Sequence, residues 1–373
     1  MATSAIGPGF LTQTAVFTQK LGADFAVVIA LSTFLDIAAQ LTIWRVIAAS
    51  RLRAQDIANK VVPGSGLVLA IVVALGGFLF NIGNVAGAGL GMMSATGISV
   101  AVGAVVSAAM AAALFLLPEA GKAMDRFAQV MGGVMLLLML YVAVIAKAPL
   151  WEALTHAFMP GRVDVMATMT LVGGTVGGYI TFAGGHRLVD AGITGAEAIP
   201  RVTASATAGI IVTACMRCLL FVAALGVVSG GGVFDTGNPA ASVFSLTLGN
   251  LGMKLFGVVM WSAAITSIVG SAYTSVSFLR TLSPVLEKHH KYIVVGFIVM
   301  SATVFLVFGK PVQVLIFAGL ANSFVVPFAL VLMLAAAYKR EIVGAYRHPL
   351  WLALAGGVVA MLMFGMSVYA VFG

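Results

Sequence analysis

Apolar residues run in stretches of about 20 along the whole chain, separated by short polar or charged segments. A helix of that length crosses ~30 Å of hydrocarbon. Eleven spans are predicted, at 2–20, 23–49, 65–92, 95–117, 126–147, 167–190, 201–230, 247–279, 291–309, 311–337 and 349–371. Placing the N-terminus inside puts thirteen Lys and Arg, among them Arg51, Arg53, Arg187 and Arg340, in connections on the inner side. Only four, Lys20, Lys147, Arg162 and Lys310, fall on the outer side. This is the positive-inside bias, and miscounting one span would scramble it.

Two spans are interrupted. The sixth contains Leu171-Val-Gly-Gly-Thr-Val-Gly-Gly-Tyr179, a poor helix interior because each Gly costs ~1 kcal/mol relative to Ala. The first contains Gly7-Pro8-Gly9, with six residues ahead of it. A half-helix crossing a leaflet needs ~10 residues, so the expectation is a start site further upstream or missing residues. Within a membrane, freed N–H and C=O groups must meet protein, water or a ligand. Broken spans in corresponding places of two halves point to a transporter's substrate site.

The predicted organisation is a first repeat over 1–148 (spans 1–5), a connector over 149–166, a second repeat over 167–338 (spans 6–10), and a loop with span 11 over 339–373. Five spans per repeat is odd, so the halves are inverted relative to each other. The connector mixes apolar and polar residues, with Trp151 expected at headgroup level. Gly230 to Gly232 with Asp235, Asn238 and Pro239 read as a flexible external loop.

Composition narrows the class. Hydrophobic residues make up 61% and charged residues 9%, against roughly 25% charge in soluble domains. A net charge of +8 belongs to inner loops and does not indicate a nucleic-acid partner. Cys215 and Cys218, three apart on one helix, are expected as small buried thiols with no disulfide framework. The start of the chain lacks the basic region of a cleaved signal peptide, so the first apolar segment is expected to be retained. With no nucleophile–base pair and no metal-ligand cluster, neither an enzyme nor a resident metal or cofactor is predicted.

Half-helices that restart at a break aim bare N–H groups and a positive dipole end into a cavity. Neither break holds an acidic residue, which favours an anionic or neutral polar substrate over a divalent cation. Glycines permit close backbone approach to a substrate, or to another helix. Candidate contacts are Gly7, Gly9, Phe10, Thr12, Gln13, Thr175, Gly177, Gly178 and Tyr179, with Asn81, Asn84 and Asn322 from spans 3 and 10. Ser267, Ser271, Tyr273, Thr274 and Ser275 of span 8, with Asn322 of span 10, form a candidate sodium site. Asp36 in span 2 and Arg217 in span 7 are either a fixed ion pair between the halves or, for Asp36, a proton carrier. His186, with Arg187 and Asp190, is either a solvated helix end or an inner gate and proton exit.

The sequence resembles the natural-resistance-associated macrophage protein (Nramp) family, which has the leucine-transporter fold. The likeness spans the chain: the broken first span, Gln40, Arg51-Leu-Arg-Ala-Gln-Asp-Ile-Ala58, the Asn-bearing third span, the glycine-rich sixth span and Asn322-Ser-Phe-Val-Val-Pro-Phe-Ala-Leu330. In metal-transporting members the breaks read Asp-Pro-Gly-Asn and Met-Pro-His, and those residues bind the metal and assist proton movement. Here the corresponding positions are Gly7, Phe10, Gly177 and Tyr179. The residues around Gly7 and those from Gly177 to Arg187 resemble a bacterial branch whose genes accompany those of 5-oxoprolinase subunits.

The combined expectation is an ion-coupled, alternating-access carrier of the bacterial inner membrane. Spans 1, 2, 6 and 7 would rock against spans 3–5 and 8–10. The expected substrate is a small organic anion such as 5-oxoproline, coupled to H+ or Na+. The alternative is a proton-coupled divalent-metal carrier with a site rebuilt from Asn81, Asn84 and Gln13. The lipid bilayer is the expected surroundings, and oligomeric state is left open.

Overall fold

The computed structural model describes residues 6–280 and 283–372. Every regular element in them is helical. In chain order these are α1 (Pro8–Leu21), α2 (Phe25–Ser50), α3 (Ala54–Val61), α4 (Ser65–Thr96), α5 (Val100–Leu116) and α6 (Pro118–Ile145). Then come α7 (Leu150–Phe158), α8 (Val165–Thr175), α9 (Tyr179–Asp190), α10 (Ile199–Ser229), α11 (Pro239–Arg280) and α12 (Pro284–Lys288). The last are α13 (His290–Phe308), α14 (Pro311–Ser323), α15 (Val325–Ala337), α16 (Arg340–Val343) and α17 (Leu350–Phe372).

Among the described residues, eight helices are long and apolar enough to cross a membrane, or nine with one bent pair. The eleven expected spans differ from this in identifiable places. The stretch Pro8–Ser50 counts once, because only a 3₁₀ turn at Gly22–Asp24 separates α1 from α2. The helix Val100–Leu116 has 17 residues, and α6 passes only jointly with α7, at a bend of 106°. Large apolar side chains such as Leu75, Leu137, Val144, Val307 and Phe364 stand on the outer surface, as lipid contact requires. Cys215 and Cys218 are on that surface too, exposed where burial was expected.

Tight crossings are made where side chains are missing. α4 and α11 form the most extensive helix pair. A Cβ on Gly91 would come within 2.7–2.9 Å of Gly257 and Trp261 backbone atoms, and one on Gly257 within 2.7 Å of the Gly91 carbonyl. Small residues let membrane helices approach in this way.

Two helices break where the sequence dictates. Gly249 in α11 has φ 64° and ψ −150°, a backbone state natural to glycine, and it falls near the expected start of span 8. The expected tenth span is split at Phe324 into α14 and α15. Pro327 explains the split, since its ring clashes with the carbonyl four residues back, Ser323, and it has no N–H to donate.

The connector is held to the turn after α1. Asp24 Oδ1 lies 2.6 Å from His156 Nδ1 and accepts the Gly161 N–H at 2.8 Å. Lys20 pairs with Asp164 at 2.9 Å, and Asp164 also caps α8 through the Ala167 N–H. Burial by itself would raise the Asp24 carboxyl, but the His156 and Gly161 hydrogen bonds outweigh it and hold the group below its ordinary 3.8. Asp164 is lowered likewise, Lys20 and the Ala167 N–H outweighing burial. Both groups are depressed on folding, so their stabilisation is full above the ordinary carboxylate value and is lost as pH falls through the folded one. Asp24→Asn should therefore speed amide hydrogen exchange over 150–161 at neutral pH, and wild type should show the same loosening only in acid, below the ordinary carboxylate value of 3.8, as pH falls through the lowered one. Unchanged exchange in the variant would mean the clasp contributes nothing.

Candidate functional site

α1 starts at Pro8, a residue suited to the first helical position. Gly7 is its N-cap, without a side-chain cap. The half-helix expected ahead of Gly7 falls on residues 1–5, outside the described residues. Gly9 and Phe10 follow in the first helical turn, where N–H groups have no intrahelical partner.

The second break is shorter than the glycine run implied. Gly173 and Gly174 are helical, α8 ends at Thr175, and only residues 176–178 are unwound before Tyr179. Gly178 sits at φ 51°, ψ −124°. The freed groups are largely used internally: Val176 and Gly177 N–H donate to the Val172 carbonyl, and Thr181 Oγ1 donates to Val176 O at 2.7 Å. The Gly177 amide is therefore not available to a ligand; the donors expected to be bare lie further on, where α9 begins after Gly178.

The glycines of this break face α14. A Cβ on Gly173 would lie 1.8 Å from Gly319 O, one on Gly177 2.8 Å from Asn322 O, and one on Gly178 1.6 Å from Asn322 Oδ1. Close helix packing, not a cradle, is what they provide in this conformation. Asn322 donates to Gly76 O at 2.9 Å and Ala318 O at 2.8 Å, leaving its Oδ1 without a partner at the break. Gln13 reaches from α1 into the same seam. Its Nε2 donates to Leu315 O at 3.1 Å, while its Oε1 has no partner and faces Gly174.

On the other side of the breaks lies a cluster of neutral polar groups. Ser271 Oγ is 3.0 Å from Asn81 Oδ1 and 3.4 Å from Asn84 Nδ2, and Asn81 Nδ2 donates to Ser301 at 3.2 Å. The Tyr179 hydroxyl reaches Asn84 and Ser271, and its ring meets Phe80 edge-on at 5.5 Å. Gly7 adjoins Ser267 and Asn84, and Ser267 Oγ has no partner. Gly7, Asn81, Asn84, Tyr179 and Ser271 thus come together, as neutral donors and acceptors. Ser267, one of the span 8 hydroxyls of the candidate ion site, joins them, as does Ser301, which the sequence reading did not name.

Asn322 lies at the second break, its Oδ1 against Gly178, while Ser271 sits in the Asn81–Asn84 cluster. The Thr274 carbonyl accepts the Ser277 hydroxyl, and Asn322 donates its N–H groups to Gly76 and Ala318. Thr12 is buried with its hydroxyl unpartnered.

A third group sits behind the breaks, inside the ring of α1, α2, α8 and α10. Thr175 Oγ1 is 2.7 Å from Asp36 Oδ2. The Arg217 guanidinium lies 4.4 Å from the centre of the Phe10 ring. Arg217 and Asp36 line one small cavity with Thr33, Gln40, Thr175 and Thr213. Its free space is about 20 Å³, room for one water. Asp36 Oδ1 and Arg217 Nε and Nη2 have no hydrogen-bond partner, so the expected direct ion pair is replaced by a gap between the two charges.

The two ends of the bundle differ. At one end a cleft of about 460 Å³ opens among Gln19, Lys20, Thr236, Val312 and Gln313. Asn238 pins the neighbouring loop to α4 by donating to Ser94 at 2.9 Å. At the other end Arg53 pairs with Asp190 at 2.6 Å, and Tyr273 donates to Asp190 at 3.0 Å. His186 is buried there. Its Nε2 accepts the Ala54 N–H at 3.2 Å and its Nδ1 faces Ser277 Oγ at 3.0 Å. It is a seam residue joining α3, α9 and α11, not a solvated helix end.

Similarity to known proteins is extensive. The family described as Natural resistance-associated macrophage protein-like matches residues 1–373. The chain is 55% identical over 369 residues to an uncharacterized membrane protein of Bacillus subtilis (strain 168), covering 99% of this chain and 91% of the relative. It is 52% identical over 367 residues to an uncharacterized membrane protein of Haemophilus influenzae, with coverage of 98% and 92%. Among solved structures, a mutant manganese transporter of Eremococcus coleocola superimposes with a TM-score of 0.75 at 14% identity, over 99% of this chain and 84% of that one. The MhsT structure in complex with L-phenylalanine gives 0.66 at 16% identity, over 98% and 96%. At such identities the likeness concerns the fold, which is the leucine-transporter type expected from the sequence.

Proposed function

We propose that this chain, which belongs to the natural resistance-associated macrophage protein-like family, carries a small organic anion across the membrane by alternating access. It is a multi-pass membrane transporter and not an enzyme. The reading of its substrate rests on charge. The fixed charge stacked against a break is the Arg217 guanidinium over Phe10, and the described residues hold no cluster of three His, Cys, Asp or Glu. A divalent cation needs charged oxygen, sulfur or imidazole ligands. Amides, hydroxyls and a phenol, backed by a guanidinium, suit a carboxylate such as 5-oxoproline. With the N-terminus inside a bacterial inner membrane, the cleft beside Lys20 opens outward and the Arg53–Asp190 pair lies at the inner end.

A metal substrate is the second reading. Gln13 Oε1 and Asn322 Oδ1 favour it, being buried acceptors without partners at the second break. Asn81 and Asn84, the other rebuilt ligands, are already engaged with Ser271 and Ser301. Thermal unfolding of the purified protein separates the two readings. A ligand at a hundred times its Kd adds about 2.7 kcal/mol to stability. Carboxylates including 5-oxoproline should raise the unfolding temperature and Mn2+ should not; the reverse result hands the site to the metal.

A further inference from the structure

Thr175 Oγ1 is 2.8 Å from the Leu171 carbonyl oxygen and 2.7 Å from Asp36 Oδ2. Both neighbours are acceptors when Asp36 is ionised, and the hydroxyl has one hydrogen. The bond to Leu171 is the usual back-bond of a helical threonine. The contact at 2.7 Å then needs its hydrogen from the carboxyl group. The other carboxyl oxygen, Oδ1, is buried and unpartnered, a costly state for an ionised carboxylate and a far cheaper one for a neutral acid.

We propose that Asp36 carries a proton in this conformation and is the carrier's coupling-ion site, with the acidic O–H donating to Thr175 and Thr175 donating to Leu171. The groups facing Asp36 are Thr175 and Val176 from the second break, Thr213 and Arg217 from α10, and Thr33 and Gln40 on its own helix. Arg217 is the other charged group among them. A sodium ion would have to fit a one-water space beside that guanidinium, against like charge and short of oxygen ligands. A proton needs neither room nor a ligand shell.

The position links this proton to transport. Thr175 is the last residue of α8 before the unwound segment, so the proton bonds α2 to the edge of the break. When the proton leaves, the carboxylate is drawn across the cavity toward Arg217 and Thr175 is released. When the proton is bound, the Arg217 charge stands uncompensated beside Phe10. On the organic-anion reading above, which this last step rests on, loading a proton favours loading the anion, giving symport.

Infrared difference spectroscopy on the purified protein, without substrate, tests the assignment. Wild type should show a protonated-carboxyl stretch at neutral pH that vanishes on alkalinisation and is unmoved when sodium replaces choline in the buffer. Asp36→Asn should lack the band. Thr175→Val, which keeps the acid and removes its acceptor, should shift the band in frequency. In parallel, amide exchange over 173–180, corrected for its intrinsic pH dependence, should rise with pH in wild type and lose that rise in Asp36→Asn. An absent band in wild type, a band that Asp36→Asn retains, one that sodium removes, or one that Thr175→Val leaves in place would each overturn the site. If Asp36→Asn does not fold, the Thr175→Val shift decides. No substrate enters these measurements, so a failed carboxylate screen leaves Asp36 standing, and a failed band leaves the substrate reading standing.

Discussion

Gly177→Val is expected to reduce uptake to background, measured in proteoliposomes with whichever ligand stabilises the wild-type protein. The sequence alone leads to that loss with membrane insertion intact. The packing adds a loss of stability. A Cβ at Gly177 would sit 2.4 Å from the Gly173 carbonyl oxygen and 2.8 Å from the Asn322 carbonyl oxygen. Both are backbone atoms, so no rotamer change relieves the contacts, and the 176–178 segment must shift away from both α8 and α14. Overpacking of this kind costs about 1–3 kcal/mol, which should lower the unfolding temperature. The movement also displaces Tyr179, two residues on, from Asn84 and Ser271. Gly365→Val is the control: its Cβ meets nothing within 4 Å, and uptake and stability should match wild type, within about 0.5 kcal/mol for the latter. Wild-type uptake by Gly177→Val would remove the break from the transport cycle.

Arg217→Gln should weaken anion binding about a hundredfold while leaving the fold as stable as wild type or more so. A unit charge roughly 6 Å from a carboxylate, at an effective dielectric near 20, contributes about 3 kcal/mol, which corresponds to about two decades in Kd. Stability should move the other way, because two buried guanidinium N–H groups without partners are an energetic burden that glutamine lightens. Opposite signs on binding and stability would mark Arg217 as retained for function. Arg217→Lys keeps the charge but not the planar fork and should fall between the two. Calorimetric titration gives the affinities and thermal unfolding the stabilities. Affinity within twofold of wild type in Arg217→Gln would end the electrostatic basis for an anionic substrate.

The helices were legible from apolar run length, since ~20 apolar residues have few alternatives to a membrane helix. The helix start at Pro8 and the unwound 176–178 segment were legible because proline and glycine act on the local backbone; the half-helix that would make the first a break falls on residues 1–5, outside the described residues. Pro327 carried the same kind of signal, and α14 and α15 do part just ahead of it, yet the tenth span was read as continuous. A proline can also be accommodated within a membrane helix, so its neighbours decide the outcome. The lipid-facing placement of Cys215 and Cys218 was misread for a related reason. Both faces of a membrane helix are apolar, so periodicity does not say which one is inside.

The sequence by itself determined a helical membrane protein, the proline at which its first helix begins, the place where its sixth span comes unwound, and the absence of acidic, thioether and imidazole ligands at those places. These follow from composition and from residues that act on their own backbone. Only the tertiary structure decided that the glycines of the sixth span face Gly319 and Asn322, and that Asp36 bonds to Thr175 while Arg217 lies over Phe10. Those pairings join residues more than a hundred positions apart, and they depend on how helices rotate and cross, which is set by side-chain packing among all of them at once.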